Sequence, residues 1–218
     1  MTIQGWFRYT GGMPVCTARF LDRDHEPSAG MLPETFFKCS AVTEWHFPWP
    51  EKTYERVATE VRLAWSAKFL YVHFWSLDSY FFARETKPKG KVQLDDYVGV
   101  TLAHGGLCRG WLVNPVGALA EFSAPYQDAP LAEADLDRSW KSAALSKTGQ
   151  FPAGWSWEIR IPFEKDFSST PSRGDTWKVQ FHRQDIDKQG HVSRAEWAAP
   201  RDDTPGILDP GSFGDLQF

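Results

Sequence analysis

The chain has 218 residues and a formal charge of −4, from 28 acidic and 24 basic residues that are mixed along the sequence. Hydrophobic residues make up 42% of it, enough for a sizeable core, and the length predicts one domain over residues 1–218. No basic run is present, which argues against a nucleic-acid partner, and no apolar run is long enough to span a bilayer. The three cysteines, Cys16, Cys39 and Cys108, match neither a disulfide framework nor a zinc motif.

The first 55 residues and the rest of the chain have different patterns. Residues 1–55 are rich in proline, glycine and aromatic residues, and they predict an irregular extension or an edge of the fold. From residue 56 onward the apolar residues alternate with period two. Segment 56–65 is apolar on one face, whereas segment 69–78 is apolar on both faces. Only three residues separate these two segments, which predicts an antiparallel hairpin.

The same alternation recurs in five later segments: 95–103, 110–114, 118–123, 156–163 and 176–184. Turn-forming residues lie between them, and Lys147-Thr148-Gly149 is predicted to be one of these turns. The best candidate for helical structure is one turn or a short helix around 127–137. Many short strands with regular turn signals predict an all-β fold, an antiparallel β-sandwich or a barrel, with its core over residues 56–218.

The segment GWSWEIRIPF, residues 154–163, places two tryptophans and two isoleucines at every second position. Two tryptophans on one face of a strand are compatible with a platform for a ligand or with the inner wall of a sandwich. Burying each such side chain contributes about 2–3 kcal/mol, so leaving all four in water is unfavourable. We therefore predict that Trp155 and Trp157 belong to the core.

Five stretches together resemble one known family. They are TEVRLAWSAKFLYVHFWSLD (59–78), VQLDDYVGVTL (92–102), WLVNPVGALAEF (111–122), GWSWEIRIPF (154–163) and LDPGSFGDLQF (208–218). In this order and spacing they resemble the family 9 carbohydrate-binding modules and the wider group of DOMON-like sandwiches. The resemblance implies a β-sandwich of the jelly-roll type, a carbohydrate ligand and structural calcium. It also implies a secreted bacterial protein, extracellular or periplasmic, although no signal peptide is visible in the sequence.

The resemblance also implies where a sugar would bind. In sugar-binding members, two tryptophans hold a terminal sugar, and the matching positions here are Gln93 and Ile207. Gly99 and Leu112 stand where the family's sugar-contacting Glu and Arg are expected. The resemblance thus covers the scaffold, whereas the tryptophan pair that clamps the sugar is missing.

Seven residues are candidates for contacts with a ligand. Aromatic rings stack on the apolar C–H face of a sugar, while planar amide and guanidinium groups bind its hydroxyls. The aromatic candidates lie in loops or near strand ends: Trp45, Trp49, Trp111 and Trp197. The polar candidates are Gln93, Asn114 and Arg183. A tryptophan at these places can also be a packed core residue, and a Pro-aromatic segment such as 45–50 can also close the open end of a sandwich.

Three aspartates are candidates for a calcium site, since calcium prefers several oxygen ligands. They are Asp78 after the hairpin and the pair Asp95 and Asp96 at the start of a strand. Further oxygen donors are available in Asp185, Asp187, Asp202 and Asp203. The alternative is that aspartates at strand starts and turns accept hydrogen bonds from backbone N–H groups.

These observations predict a non-catalytic carbohydrate-binding module that recognises a mono- or oligosaccharide by aromatic stacking and hydroxyl hydrogen bonds. The alternative is an enzyme that uses His73, His182 or Asp96 in a pocket of the same scaffold. A haem b-binding electron-transfer domain is a weaker alternative, with His73 and His182 as a possible ligand pair besides the N-terminal methionines Met1, Met13 and Met31. If residues 1–55 cover the sugar face, a closed pocket is favoured over an open sugar site.

Overall fold

The computed structural model describes residues 12–30, 32–48, 56–201 and 208–218, which form two β-sheets packed face to face. The first sheet has the order β1 (Val15–Thr17), β13 (Gly214–Gln217), β11 (Thr176–Ile186), β6 (Tyr97–His104), β7 (Leu107–Val113), β8 (Leu119–Pro125), with β12 (Val192–Glu196) also paired to β11. The second sheet has the order β2 (Arg19–Phe20), β4 (Thr59–Trp65), β5 (Phe69–Leu77), β10 (Gly154–Pro162), β9 (Leu145–Phe151), with β3 (Ala41–Val42) also paired to β4. The predicted all-β sandwich is confirmed.

Most neighbouring strands are antiparallel, and the two exceptions among the described residues lie at sheet edges. The short strand β1 runs parallel to β13, and β2 runs parallel to β4. The predicted hairpin is formed by β4 and β5. Helix is scarce: in the described part of the chain, α1 (Phe163–Phe167) is the single α-helix, and no helix there is long and apolar enough to cross a membrane.

One local prediction was wrong and one was confirmed. Lys147-Thr148-Gly149 lies inside β9 and pairs with β10, so it is not a turn. Pairing with the neighbouring strand outweighs the weak local preference of these residues. Segment 127–137, predicted to hold one turn or a short helix, contains the 3₁₀ turn Glu133–Asp135.

The core between the sheets is built by the inward-facing residues of the long strands. Trp155 and Trp157 of β10 are 1% and 0% exposed, which confirms that they are core residues. Trp157 stacks on Phe74 of β5 with ring centroids 5.4 Å apart, and Phe74 meets Phe181 of β11 edge to face at 5.9 Å. These contacts join the two sheets, since β5 and β10 belong to the second sheet and β11 to the first.

The described residues of segment 21–40 cover the outer face of the second sheet. Phe36 and Cys39 are buried there against Ala64 and Tyr71. The close approach depends on Gly149 of β9, because a Cβ atom at that position would lie 1.9 Å from the carbonyl oxygen of Ala29. Part of the N-terminal region therefore completes the sandwich on the side of the second sheet.

The space between the sheets becomes polar at one end. Along β11, alternate residues face the same side of the sheet, so Phe181, Arg183 and Asp185 all point inward. Asp78, directly after β5, and Asp96, directly before β6, are buried at the same end. The candidate functional site lies here.

Candidate functional site

An open depression lies between β12 of the first sheet and the start of β4 in the second sheet. It is small and open to solvent, and we call it the edge depression. Its lining residues are Trp45, Phe47, Val57, Thr59, Arg183, Asp185, Ser193, Arg194 and Ala195. Sequence analysis predicted two of them, Trp45 and Arg183, as ligand contacts, and the fold brings these two to one place.

The aromatic wall of the edge depression is held by backbone pairing. His46 exchanges two backbone hydrogen bonds with Glu196 of β12, at 2.7 and 2.9 Å. Because successive residues of an extended segment point to opposite sides, Trp45 and Phe47 turn to the same side of this bridge. The indole Nε1 of Trp45 donates to the carbonyl oxygen of Thr59 at 2.8 Å, which fixes the orientation of the ring.

The polar floor of the edge depression is formed by Arg183 and its partners. The Arg183 guanidinium Nη2 lies 3.1 Å from Asp78 Oδ2 and 2.8 Å from Asp185 Oδ1. The same guanidinium lies over the ring of Trp155, 5.6 Å from its centroid. The Arg183 side chain is 4% exposed, and its Nε and Nη1 atoms find no hydrogen-bond acceptor among the described residues. Arg183 is therefore held by Asp78 and Asp185, and its Nε and Nη1 donors are buried beside the depression.

Asp96 lies behind this ion pair and is bound by backbone amides. Its Oδ2 accepts from the N–H of Phe82 and its Oδ1 from the N–H of Ile186, both at 2.6 Å. Burial raises the pKa of Asp96 to about 8, and the Phe82 hydrogen bond and the Arg183 charge only partly oppose this effect. We call Asp78, Asp96, Arg183 and Asp185 the inter-sheet cluster.

The structure brings together two of the three aspartates predicted to bind calcium. Asp78 and Asp96 meet Asp185, and one carboxylate oxygen of each lies within 4.8 Å of the others. Asp95 is directed elsewhere: its oxygens accept from the backbone N–H groups of Arg84 at 3.1 Å and Glu85 at 2.9 Å. Asp95 is therefore not part of this cluster, because adjacent residues of a strand point to opposite faces.

The three clustered carboxylates do not fit a calcium ion while Arg183 keeps its position. Calcium binds oxygen atoms at about 2.3–2.6 Å and needs several of them to converge on one point. The Nη2 atom of Arg183 already lies between the oxygens of Asp78 and Asp185. A second positive charge beside it would be strongly repelled in a buried place. The chemistry of this donor set thus favours a guanidinium over a metal ion.

Gly99 and Leu112, which the resemblance assigns to contacts with the sugar, lie on the outer face of the first sheet. Gly99 and Leu112 face each other across β6 and β7, and a Cβ atom on Gly99 would lie 2.3 Å from Leu112 Cδ2. An apolar side chain thus fills the place where two charged side chains were expected from the family. Gln93 is exposed nearby, and its carbonyl oxygen accepts from Gln184 Nε2 at 3.1 Å. Ile207 lies outside the described residues.

Trp111 and Asn114 do not have the roles predicted for them. Trp111 is 0% exposed and packs between the sheets, with its ring 5.8 Å from that of Trp140, so it offers no face to a ligand. Asn114 is fully buried, and its Nδ2 donates to Glu85 O and Asp95 Oδ2, both at 2.8 Å. Its Oδ1 accepts from the N–H of Ala118, so it holds the β7–β8 turn.

Of the remaining two tryptophan candidates, Trp197 does not line the edge depression and Trp49 cannot be placed. Trp197 is half-buried and packs on Phe181 with ring centroids 5.2 Å apart. Its ring also covers Gly214, where a Cβ atom would lie 2.5 Å from it. Trp49 lies outside the described residues. Trp45 is thus the one tryptophan candidate that the described structure places in the depression.

The residues considered for catalysis or haem binding are dispersed. His73 is buried on the outer face of the second sheet, where burial lowers its pKa to about 4. His182 lies on the outer face of the first sheet, between Thr101 Oγ1 at 2.8 Å and Glu196 Oε2 at 2.9 Å. The two histidines are on opposite outer faces, so they cannot ligate one haem. The edge depression is lined by none of the three residues considered for catalysis, His73, His182 and Asp96.

A second buried polar cluster lies under segment 21–40. We call His25, Ser28, Tyr71 and Glu158 the covered cluster. His25 Nε2 lies 2.7 Å from Glu158 Oε1, and the Ser28 N–H donates to Glu158 Oε2 at 3.0 Å. Burial raises the pKa of Glu158 to about 7 and lowers the pKa of His25, so burial disfavours the charged form of both groups.

Sequence reasoning missed several residues of the edge depression, among them Phe47, Thr59, Ser193 and Arg194. The alternation of segment 56–65 places Thr59 on the inward face of β4. The hydrogen bond from Trp45 to the Thr59 carbonyl oxygen depends on the tertiary structure, so the sequence did not reveal it. Asp185 was considered only as an oxygen donor. Its spacing of two residues from Arg183 is a signal that places both on the same face of one strand.

No protein-family profile matches the chain, and no curated protein sequence matches it. Solved structures do share its fold. A protein from Bacteroides uniformis for which carbohydrate binding has been proposed superposes with a TM-score of 0.76 at 15% identity, covering 95% of this chain and 100% of that one. A family 9 carbohydrate-binding module from Caldicellulosiruptor kristjanssonii in complex with cellotriose gives a TM-score of 0.63 at 15% identity, covering 94% of this chain and 93% of the module.

A family 9 carbohydrate-binding module from the same organism in complex with glucose gives a TM-score of 0.61 at 16% identity, covering 94% and 95% of the two chains. Likeness at this level of identity concerns the backbone arrangement, because site residues vary freely on a shared scaffold. The chain therefore has the β-sandwich fold of the family 9 carbohydrate-binding modules.

Proposed function

We propose that this chain is a non-catalytic carbohydrate-binding module whose sugar site is the edge depression. The observation that carries the proposal is the convergence of Trp45 and Phe47 with the donors and acceptors of Thr59, Arg183 and Ser193 around one opening. An aromatic wall beside a few fixed polar groups is the usual composition of a sugar site. The neighbours that share the fold and bind cellotriose and glucose support the same ligand class.

The size and charge of the edge depression restrict the class of ligand that it can bind. The depression is small and open to solvent, so one sugar residue, either free or at the end of a chain, would rest against its wall. Two arginines line the depression, Arg183 and Arg194, and the two carboxylates of Asp78 and Asp185 balance them, so no excess positive charge is left for an anion. A neutral sugar is therefore the favoured ligand.

The described N-terminal residues leave this site accessible. Residues 21–30 and 32–40 pack on the outer face of the second sheet, whereas the edge depression opens beside β12 of the first sheet. Trp45 and Phe47, from the same N-terminal region, form part of its wall. This arrangement favours an open binding site over a closed catalytic pocket.

The experiment is isothermal titration calorimetry with glucose, cellobiose, cellotriose and a panel of other neutral mono- and oligosaccharides. We expect Trp45→Ala to lose at least about tenfold in affinity, equivalent to about 1.4 kcal/mol, because the stacking surface is removed. Trp45→Phe retains a ring and is expected to lose less. Thermal unfolding of each variant checks that the fold is intact.

The matched control is Trp75→Ala. Trp75 is also half-buried, but it stacks on Phe151 on the outer face of the second sheet, with ring centroids 6.2 Å apart. Its loss is expected to leave sugar affinity unchanged. The proposal is wrong if no sugar of the panel binds, or if Trp75→Ala removes binding while Trp45→Ala does not.

A further inference from the structure

Three buried carboxylates meet at the inter-sheet cluster although they come from separate parts of the chain. Asp78 follows β5 of the second sheet, Asp96 precedes β6 of the first sheet, and Asp185 belongs to β11. One oxygen of each lies within 4.8 Å of the others, and the three side chains are almost completely inaccessible to water. Carboxylates so close together in a buried place need a compensating positive charge.

Arg183 provides that charge from within the chain. It lies two residues before Asp185 on the inner face of β11, so it bonds to its own strand through Asp185 and to the opposite sheet through Asp78. The ring of Trp155 lies against the guanidinium and excludes water from that side. The side chain thus connects both sheets at one point, as a multivalent cation would.

We infer that Arg183 replaces a structural cation: it holds the end of β5 to β11 beside the start of β6, and the fold requires no calcium at this point. The guanidinium lies between the carboxylate oxygens that a shared ion would have to approach to about 2.4 Å. The two positive charges compete for one position, so occupancy by Arg183 excludes the ion. This inference goes beyond sugar binding and does not depend on it.

The test removes the guanidinium and asks whether calcium replaces it. Arg183→Ala and the unchanged protein are melted in excess EDTA and in excess calcium chloride. We expect the unchanged protein to have the same Tm in both. The variant should have a lower Tm in EDTA and gain about 5–10 °C in calcium at about a hundred times its Kd.

Two controls locate the effect. Arg194→Ala removes an arginine from the same depression, but its Nε donates to Gln184 Oε1 and not to the three carboxylates, so this variant should stay insensitive to calcium. Adding Asp78→Asn to Arg183→Ala removes one of the clustered carboxylates and should abolish the calcium response. Together they assign the response to the inter-sheet cluster.

Terbium luminescence provides a second readout. An ion bound in place of the guanidinium would lie beside Trp155, whose excitation sensitises terbium emission. We expect calcium-competed emission from Arg183→Ala and none from the unchanged protein. If Arg183→Ala does not fold in EDTA, recovery of its circular dichroism in calcium is the expected result.

Two results would overturn the inference. The first is that the Tm of the unchanged protein falls in EDTA and recovers in calcium, and that Asp78→Asn abolishes this dependence on calcium. The second is an Arg183→Ala variant that shows neither a calcium-dependent Tm, nor terbium emission, nor calcium-dependent refolding.

Discussion

The two buried polar clusters of this sandwich accommodate their carboxyl groups in different ways. In the inter-sheet cluster, Asp78 and Asp185 share the guanidinium of Arg183, so charge is paired with charge. In the covered cluster, Glu158 faces His25, and burial disfavours the charged form of both. The first cluster borders an open depression and the second is sealed by segment 21–40. The comparison indicates that a buried ion pair joins the two sheets at the border of the depression, whereas the groups of the covered cluster fasten the N-terminal segment.

The largest expected effect concerns the paired charge. Arg183→Met keeps the apolar stem but leaves Asp78 and Asp185 without their partner, and we expect the free energy of unfolding to fall by about 3–5 kcal/mol. Urea denaturation in the presence of EDTA measures it. Arg194→Met is the control, because Arg194 is only half-buried and should change stability by about 1 kcal/mol or less. Equal losses in both variants would contradict the role assigned to Arg183.

An intermediate effect is expected from pH on the covered cluster. The pKa of Glu158 is raised from 4.5 to about 7, so the folded protein binds this proton more tightly than the unfolded chain does. The free energy of unfolding should therefore fall as pH rises from about 4.5 to about 7, by about 3 kcal/mol from this group. Urea denaturation at several pH values measures the slope.

The contribution of Glu158 is isolated by comparison with Glu158→Gln, in which the fall should be smaller by about 3 kcal/mol. The lowered pKa of His25 acts in the opposite direction, since the unfolded chain then binds the His25 proton more tightly. The raised pKa of Asp96 acts in the same direction as that of Glu158 but is common to both proteins. Identical pH slopes in the two proteins would show that Glu158 is not the responsible group.

The smallest effect concerns the segment that seals the covered cluster. In Gly149→Ala the new Cβ would lie 1.9 Å from the carbonyl oxygen of Ala29, so the segment must shift away from β9. We expect a loss of about 1–3 kcal/mol and faster hydrogen exchange of the Ser28 amide, which donates to Glu158. Gly12→Ala is the control, because a Cβ atom at that position meets nothing within 4 Å. Gly174→Ala is unsuitable, because the φ of +92° at Gly174 strains any other residue. Unchanged exchange at Ser28 would show that this contact does not hold the segment.

The fold was largely predictable, and the candidate site was predictable only in part. Alternation with period two located the long strands and assigned Trp155 and Trp157 to the core, where both are buried. The same reasoning proposed Trp111 as a stacking residue, although its alternation allowed a core position equally well. For Asn114, the predicted segments 110–114 and 118–123 leave room for a short turn, but the buried bonds to Asp95 and Glu85 join Asn114 to a loop that local patterns do not place.

The sequence by itself determined the class of fold, because a period-two pattern states which residues of a strand share a face and which faces must be buried. It also predicted the strand 176–184, which contains Arg183 but ends one residue before its partner Asp185. Only the tertiary structure decided that Asp78 and Asp96 reach this pair, that Asp95 does not, and that Trp45 closes the same depression. The physical reason is that alternation fixes the side of a strand a residue occupies, whereas the register between strands and the approach of the two sheets depend on packing throughout the core.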